Sequence, residues 1–290
     1  GNPKSENPEI KILFLGGSTT EAIFVPEKQR FTSIVERTLR ERLGQDVEVF
    51  NSGVSGNNSM HSLFILLSKG IPLKPTHAVL MHNYNDFALL YKTESYWVAP
   101  SGRSLIIDTS SNSEFSSISI SYRFLKSIKD FFVPNLYTYL GPRLFVIKPS
   151  DEFKGFRKKD FEDLNLERYK NQFTSSLISF IQLSRAWNIE PILMTQANRI
   201  NVKDALFQQW FLMNGREELS SNEFIELYQL SNQLIREIAQ THSVHLVDLD
   251  LLIPKTNEFI YDTVHFNKAG SKLVADNVTE KVLKIINKSR

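Results

Sequence analysis

The stretch "ILFLGGSTTEA", Ile12 to Ala22, is an apolar run that stops abruptly at two glycines, a serine and two threonines. Such a run is expected to be a buried parallel strand, with a tight turn after it leading into a helix. Small residues at that turn suit three different purposes: cradling a phosphate, presenting a serine nucleophile, or capping the helix. The phosphate reading fails on spacing. A P-loop needs G-x-x-x-x-G-K-[ST] and a dinucleotide fingerprint needs G-x-G-x-x-G, but Gly16-Gly17 is followed by Ser18, Thr19 and Thr20.

Four further apolar runs accompany the first: Val47 to Asn51, His77 to His82, Pro191 to Thr195 and Val244 to Leu249. Segments of helical period lie between them. Phe31, Ile34, Val35, Leu39 and Leu43 form one apolar stripe, and Phe224, Leu227, Leu230, Leu234, Ile235 and Ile238 form another. Helices are also predicted over Glu167 to Trp187 and from about Lys268 to Asn287. Strands alternating with helices predict a parallel sheet with crossover helices. The expected organisation is one α/β domain over residues 1–290, with a long insertion at residues 87–165 acting as a lid or substrate-binding region. Within that insertion, Asp108 to Ser121 is expected to be loop and Tyr122 to Phe132 helix. A smaller insertion is expected from about Asn198 to Ser221.

Bulk composition narrows the chemistry. The 290 residues are 41% hydrophobic and 23% charged, with 34 Lys+Arg against 32 Asp+Glu. The basic cluster "KGFRKKD" (Lys154 to Asp160) has no aromatic-basic motif beside it and is expected to be solvated surface, so no nucleic-acid partner is expected. With no cysteine, disulfides, thiol nucleophiles and thiolate metal sites are excluded. The six histidines are dispersed and H-E-x-x-H is absent, so no metal is expected. An extracytoplasmic compartment is the expectation, with any leader or membrane anchor outside the given sequence.

In an open parallel sheet, ligands bind beyond the carboxyl ends of the strands. Those ends carry "GGSTTEA", "NSGVSGNNS", "HNYNDF", "TQANR" and, after a short loop, "YDTVHFNKAG". A serine hydroxyl is inert until a base takes its proton, and the base needs a third group to orient it. "DTVH" supplies both, because the Asp262–His265 spacing lets the carboxylate reach Nδ1 while Nε2 faces Ser18. The backbone N–H groups of Ser18 and Gly56 and the side-chain amide of Asn85 would then serve as oxyanion donors. Asn198 and Arg199, after the fourth run, are further candidates for substrate contacts. Taken singly each residue has a plainer role, Ser18 as a helix N-cap above all.

These four segments together resemble the SGNH/GDSL hydrolase superfamily. "GGST" matches its nucleophile block at Ser18, "GVSGNN" its glycine block at Gly56, "NYND" its asparagine block at Asn85, and "DTVH" its final block at Asp262 and His265. The resemblance extends from about Ile10 to Ile286. It implies a flavodoxin-like three-layer α/β/α sandwich with a five-stranded parallel sheet in the order 2-1-3-4-5. It also implies ester hydrolysis through an acyl-enzyme, without a cofactor, and acetyl groups on carbohydrates as a frequent substrate. Asn83 stands where the family has a glycine, and the long insertion has no counterpart in the minimal fold. The expected partner is a small-molecule or glycan ester. Two other functions use the same fold: O-acyl transfer to a polysaccharide, and a catalytically silent carbohydrate-binding module.

Overall fold

A computed structural model describes residues 8–97, 164–213 and 219–289. The chain divides into two units, residues 1–96 with 158–290 and residues 97–157, and the fold described is that of the first. Most of the expected insertion, residues 98–163 with its loop, helix and basic cluster, lies outside the described residues.

Five strands form one parallel sheet: β1 (Ile10–Gly16), β2 (Val47–Gly53), β3 (His77–Met81), β4 (Glu190–Met194) and β5 (His245–Val247). Their order is β2-β1-β3-β4-β5, as the family resemblance implied. Among the described residues the α-helices are α1 (Ser18–Glu21), α2 (Phe31–Leu43), α3 (Ser59–Ile65), α4 (Tyr84–Thr93), α5 (Leu166–Ala186), α6 (Ala205–Met213), α7 (Ser221–Thr241), α8 (Leu249–Leu252) and α9 (Lys268–Ser289). Two boundaries differ from the expectation. The last apolar run yields only a three-residue strand, because Leu249 already begins α8. Phe87, where the insertion was expected to begin, lies inside α4 and is fully buried.

Side chains alternate across β1, so its one apolar run serves two cores. Ile12 and Phe14 face α2 and α9, where they meet Phe31, Val35, Val274 and Val278. Leu13 and Leu15 face the opposite layer, packing with Phe173, Phe180 and Ile181 of α5 and Ile235 of α7. Both faces are covered, which explains why these strands are continuously apolar rather than alternating. A third cluster joins Phe87 of α4, Phe207 of α6 and Phe224 of α7, and so fastens down the smaller insertion. Pro191 is tolerated inside the sheet because β4 meets β5 only from Ile192 onward, so no ladder bond to β5 is lost.

The register brings the strand ends level. Gly16 pairs with both Gly53 and Met81, Met81 with Met194, and Met194 with Val247. Beneath those ends lies a network of uncharged amides. The Asn232 side chain on α7 accepts from Gln196 N–H at 3.1 Å and donates to Gln196 C=O at 3.0 Å, acting like a short piece of strand beyond β4. Asn83 Nδ2 donates to Asn232 Oδ1 at 2.9 Å and to Tyr228 C=O at 3.0 Å. The Asn83 side chain thus ties the β3 end to α7. Removing Asn232 would leave buried donors unpaired, at about 1–3 kcal/mol for each. Asn232→Ala is therefore expected to cost about 2–4 kcal/mol in a denaturant titration, with the slope unchanged. A loss below about 1 kcal/mol would show that the network does not hold the strand ends.

Candidate active site

β1 ends at Gly16, and Gly17 takes the N-cap position of α1 with φ −91° and ψ −154°. Ser18 is therefore the first helical residue rather than the cap. Its backbone N–H belongs to the first turn, where no helical carbonyl is available to accept it. A Cβ at Gly17 would lie 2.7 Å from Asn85 Nδ2, so any larger residue there would push that amide aside.

Asp262 and His265 share one tight loop. An antiparallel bridge between Ile260 and Phe266 closes its base, and Tyr261 N–H donates to His265 C=O at 3.0 Å. Asp262 Oδ1 accepts the backbone N–H groups of Val264 at 2.9 Å and His265 at 2.7 Å. Its other oxygen, Oδ2, lies 2.6 Å from His265 Nδ1. Partial burial alone would push the Asp262 carboxyl up. The His265 ring and these two backbone donors outweigh burial and hold it below its ordinary value. A ring proton held on Nδ1 by the carboxylate leaves Nε2 as the acceptor. Nε2 lies 2.8 Å from Ser18 Oγ, across 247 residues of sequence.

Asn85, in the first turn of α4, donates from Nδ2 to Asn57 C=O at 2.7 Å, leaving its second amide proton for another acceptor. Gly56 sits in the turn from Val54 to Asn57, closed by an Asn57 N–H to Val54 C=O bond of 3.0 Å. Its φ of +80° is a conformation that favours glycine. Glu21 Oε2 accepts Ser55 N–H at 2.7 Å and Ser55 Oγ–H at 2.5 Å, latching that turn to α1. Asp86, next to Asn85, is fully buried and accepts from Ser59 N–H at 2.9 Å and Tyr96 O–H at 2.6 Å, fixing α4 against α3.

A pocket of about 150 Å3 opens beside Ser18 and His265, lined also by Asn85, Met81, Gln196 and Val264. Gly56 is not among the lining residues. Asn198 and Arg199, expected to contact substrate, are not among them either. Asn198 is buried and donates to Asp250 Oδ1 at 2.9 Å. Arg199 is paired with Asp204, Nε to Oδ2 at 2.5 Å, and its own N–H donates to Thr263 C=O at 2.8 Å. Both side chains brace the chain behind the site instead. Gln196, two residues before Asn198 and overlooked in the sequence, is the residue of this segment that reaches the pocket. Its Nε2 donates to Thr19 Oγ1 at 2.7 Å, and its Oε1 accepts Tyr84 N–H at 3.0 Å. It thereby links the starts of α1 and α4.

Two aromatic rings that sequence spacing did not single out flank the imidazole. Tyr261 stacks on His265, with centroids 5.8 Å apart and ring planes at 19°. Phe24 meets His265 edge-on at 6.2 Å and Tyr261 at 5.9 Å, both at 78°. Burial, and then the nearby Asp262 charge, push the Tyr261 phenol well above its ordinary pKa, so it keeps its proton.

No family model and no curated protein sequence matches this chain. Solved structures do match it. An acetyl xylan esterase, AlAXEase, is similar at 15% identity over 94% of this chain and 100% of that one, with a TM-score of 0.53. A lipase/acylhydrolase from Enterococcus faecalis is 15% identical over 94% of this chain and 95% of its own, with a TM-score of 0.51. A single-substitution variant of Axe2, an acetyl xylan esterase from Geobacillus stearothermophilus, is 14% identical over 95% of each chain, with a TM-score of 0.51. At these identities the chain has in common with all three the α/β/α fold, spread over nearly the full length of each.

Proposed function

We propose that this chain is a serine esterase of the SGNH/GDSL type, cleaving a small-acyl ester, an acetyl group on a carbohydrate, through an acyl-enzyme. The observation that carries the reading is the continuous line from Ser18 Oγ to His265 Nε2 at 2.8 Å and from His265 Nδ1 to Asp262 Oδ2 at 2.6 Å. It lies at the point where the strand order reverses between β1 and β3, the usual ligand crevice of such sheets.

His265 Nε2 takes the Ser18 proton as Oγ attacks the ester carbonyl. The developing oxyanion is met by Ser18 N–H and the free Asn85 amide proton, with Gly56 N–H as the third expected donor. Each such donor is worth roughly 3–4 kcal/mol in the transition state. The tetrahedral intermediate collapses as His265 gives its proton to the leaving alkoxide, and Asp262 stabilises the imidazolium formed on the way. Water, activated by the same His265, then releases the acid and frees Ser18. A pocket of about 150 Å3 suits an acyl group no larger than a benzene ring. That two of the structurally similar proteins are acetyl xylan esterases supports an acetyl group carried by a sugar.

Two measurements test this reading. Ser18→Ala is expected to lower methyl acetate hydrolysis by at least about 10⁴-fold while its melting temperature stays near that of the wild type. Unchanged turnover would remove Ser18 as the nucleophile. An acetylated sugar formed in place of free acetate, once an acceptor is supplied, would move the reaction to acyl transfer by the same triad.

The second measurement concerns pH. The folded pKa of Asp262 lies below the ordinary 3.8, so its carboxylate contributes stability that is present above about pH 4 and lost as the pH falls further. The stability difference between wild type and Asp262→Asn is expected to change progressively below about pH 4 as the wild type loses this contribution. A difference independent of pH down to 2 would contradict the hydrogen-bonding account.

A further inference from the structure

Phe24 is 69% exposed and Tyr261 38% exposed, although both are large apolar rings. They are nevertheless held firmly. Tyr261 belongs to the bridged loop that carries Asp262 and His265. Phe24 precedes buried Val25, whose N–H donates to Ala22 C=O at 3.0 Å and whose carbonyl accepts Arg30 Nε at 3.2 Å. The two rings are thus carried by the same two segments as the nucleophile and the base, and they meet nearly at right angles. Neither lines the pocket beside Ser18.

The reaction decides what this corner touches. In ester cleavage His265 must hand its proton to the departing alcohol oxygen, so the alcohol half of the ester stands against the imidazole and whatever flanks it. The acyl half takes the pocket beside Ser18, which Phe24 and Tyr261 do not line. An open corner of two rings does not enclose an alkyl chain, which gains most from burial on all sides. It does suit a molecule with one C–H face for the ring and hydroxyls left in water. We infer that Phe24 and Tyr261 form the seat of the alcohol half of the substrate, and that this half is a sugar ring stacked on Phe24 with its hydroxyls facing solvent. The inference rests on the esterase reading above and assigns the subsite that selects its substrate.

The test compares two acetates in the full-length protein: methyl acetate, whose alcohol is too small to reach Phe24, and monoacetylated methyl xyloside. The readout is the ratio of their kcat/KM values. In Phe24→Ala the preference for the sugar ester is expected to fall about tenfold, mainly through KM. Phe24→Trp is expected to keep the preference, whereas Phe24→Leu, apolar but without a ring face, is expected to lose it as alanine does. Melting temperatures of all three variants separate this from a folding defect. Equal losses on both esters, or no change in the ratio, would overturn the inference. So would a wild type that prefers methyl acetate, or a Leu variant that keeps the preference. Octyl acetate distinguishes the alternative occupant, because a loss in Phe24→Ala confined to that ester would assign the corner to an alkyl alcohol. Failure of the esterase reading would look different: the wild type would hydrolyse neither acetate, and Ser18 would not label with a fluorophosphonate.

Discussion

Everything at this site depends on the parallel register of the sheet. With Gly16 level with Gly53 and Met81, and Met81 level with Met194, loops from distant parts of the chain leave the sheet at one height. The reversal of strand order between β1 and β3 then parts the loop bearing Ser18 from the loop bearing Asn85. A slip of one residue in β1 would exchange the two apolar faces and carry Ser18 away from His265. The register is protected by burial on both sides, since Ile12, Leu13, Phe14 and Leu15 are each at most 1% exposed.

Between sheet and chemistry lies a layer of neutral hydrogen bonding. Gln196, Asn232 and Asn83 join β3, β4 and α7 through amide groups alone. Charges at the same depth would carry a desolvation penalty that amides avoid once paired. To one side of this layer, Arg236 bridges Asp248 and Asp250, and Lys255 joins Asp250. Asn198 attaches to that cluster through Asp250, which is why a side chain at a strand end turns away from the pocket.

The fold was legible in the sequence because a sheet covered on both faces leaves continuous apolar runs separated by helical stripes. The Asp262–His265 contact was legible for another reason: the two are close in sequence, and a carboxylate three residues from a histidine has few ways to turn. Other features depend on contacts between residues far apart. Gln196 reaches Thr19 across 177 positions, and nothing in "TQANR" ranks its glutamine above its arginine. Arg199 was a natural suspect for a ligand contact, but Asp204 engages it five residues later. Phe24 and Tyr261 have no periodic neighbours, so their meeting over His265 is visible only in three dimensions.

The bridge from Ile260 to Phe266 makes Asp262 and His265 a self-contained unit, while Ser18 lies 247 residues upstream. During synthesis from the N-terminus, a ribosome-bound chain would carry Ser18 on a nearly finished sheet before His265 could reach it. The contact between Ser18 and His265 would thus form only after all five strands of the sheet have been synthesised.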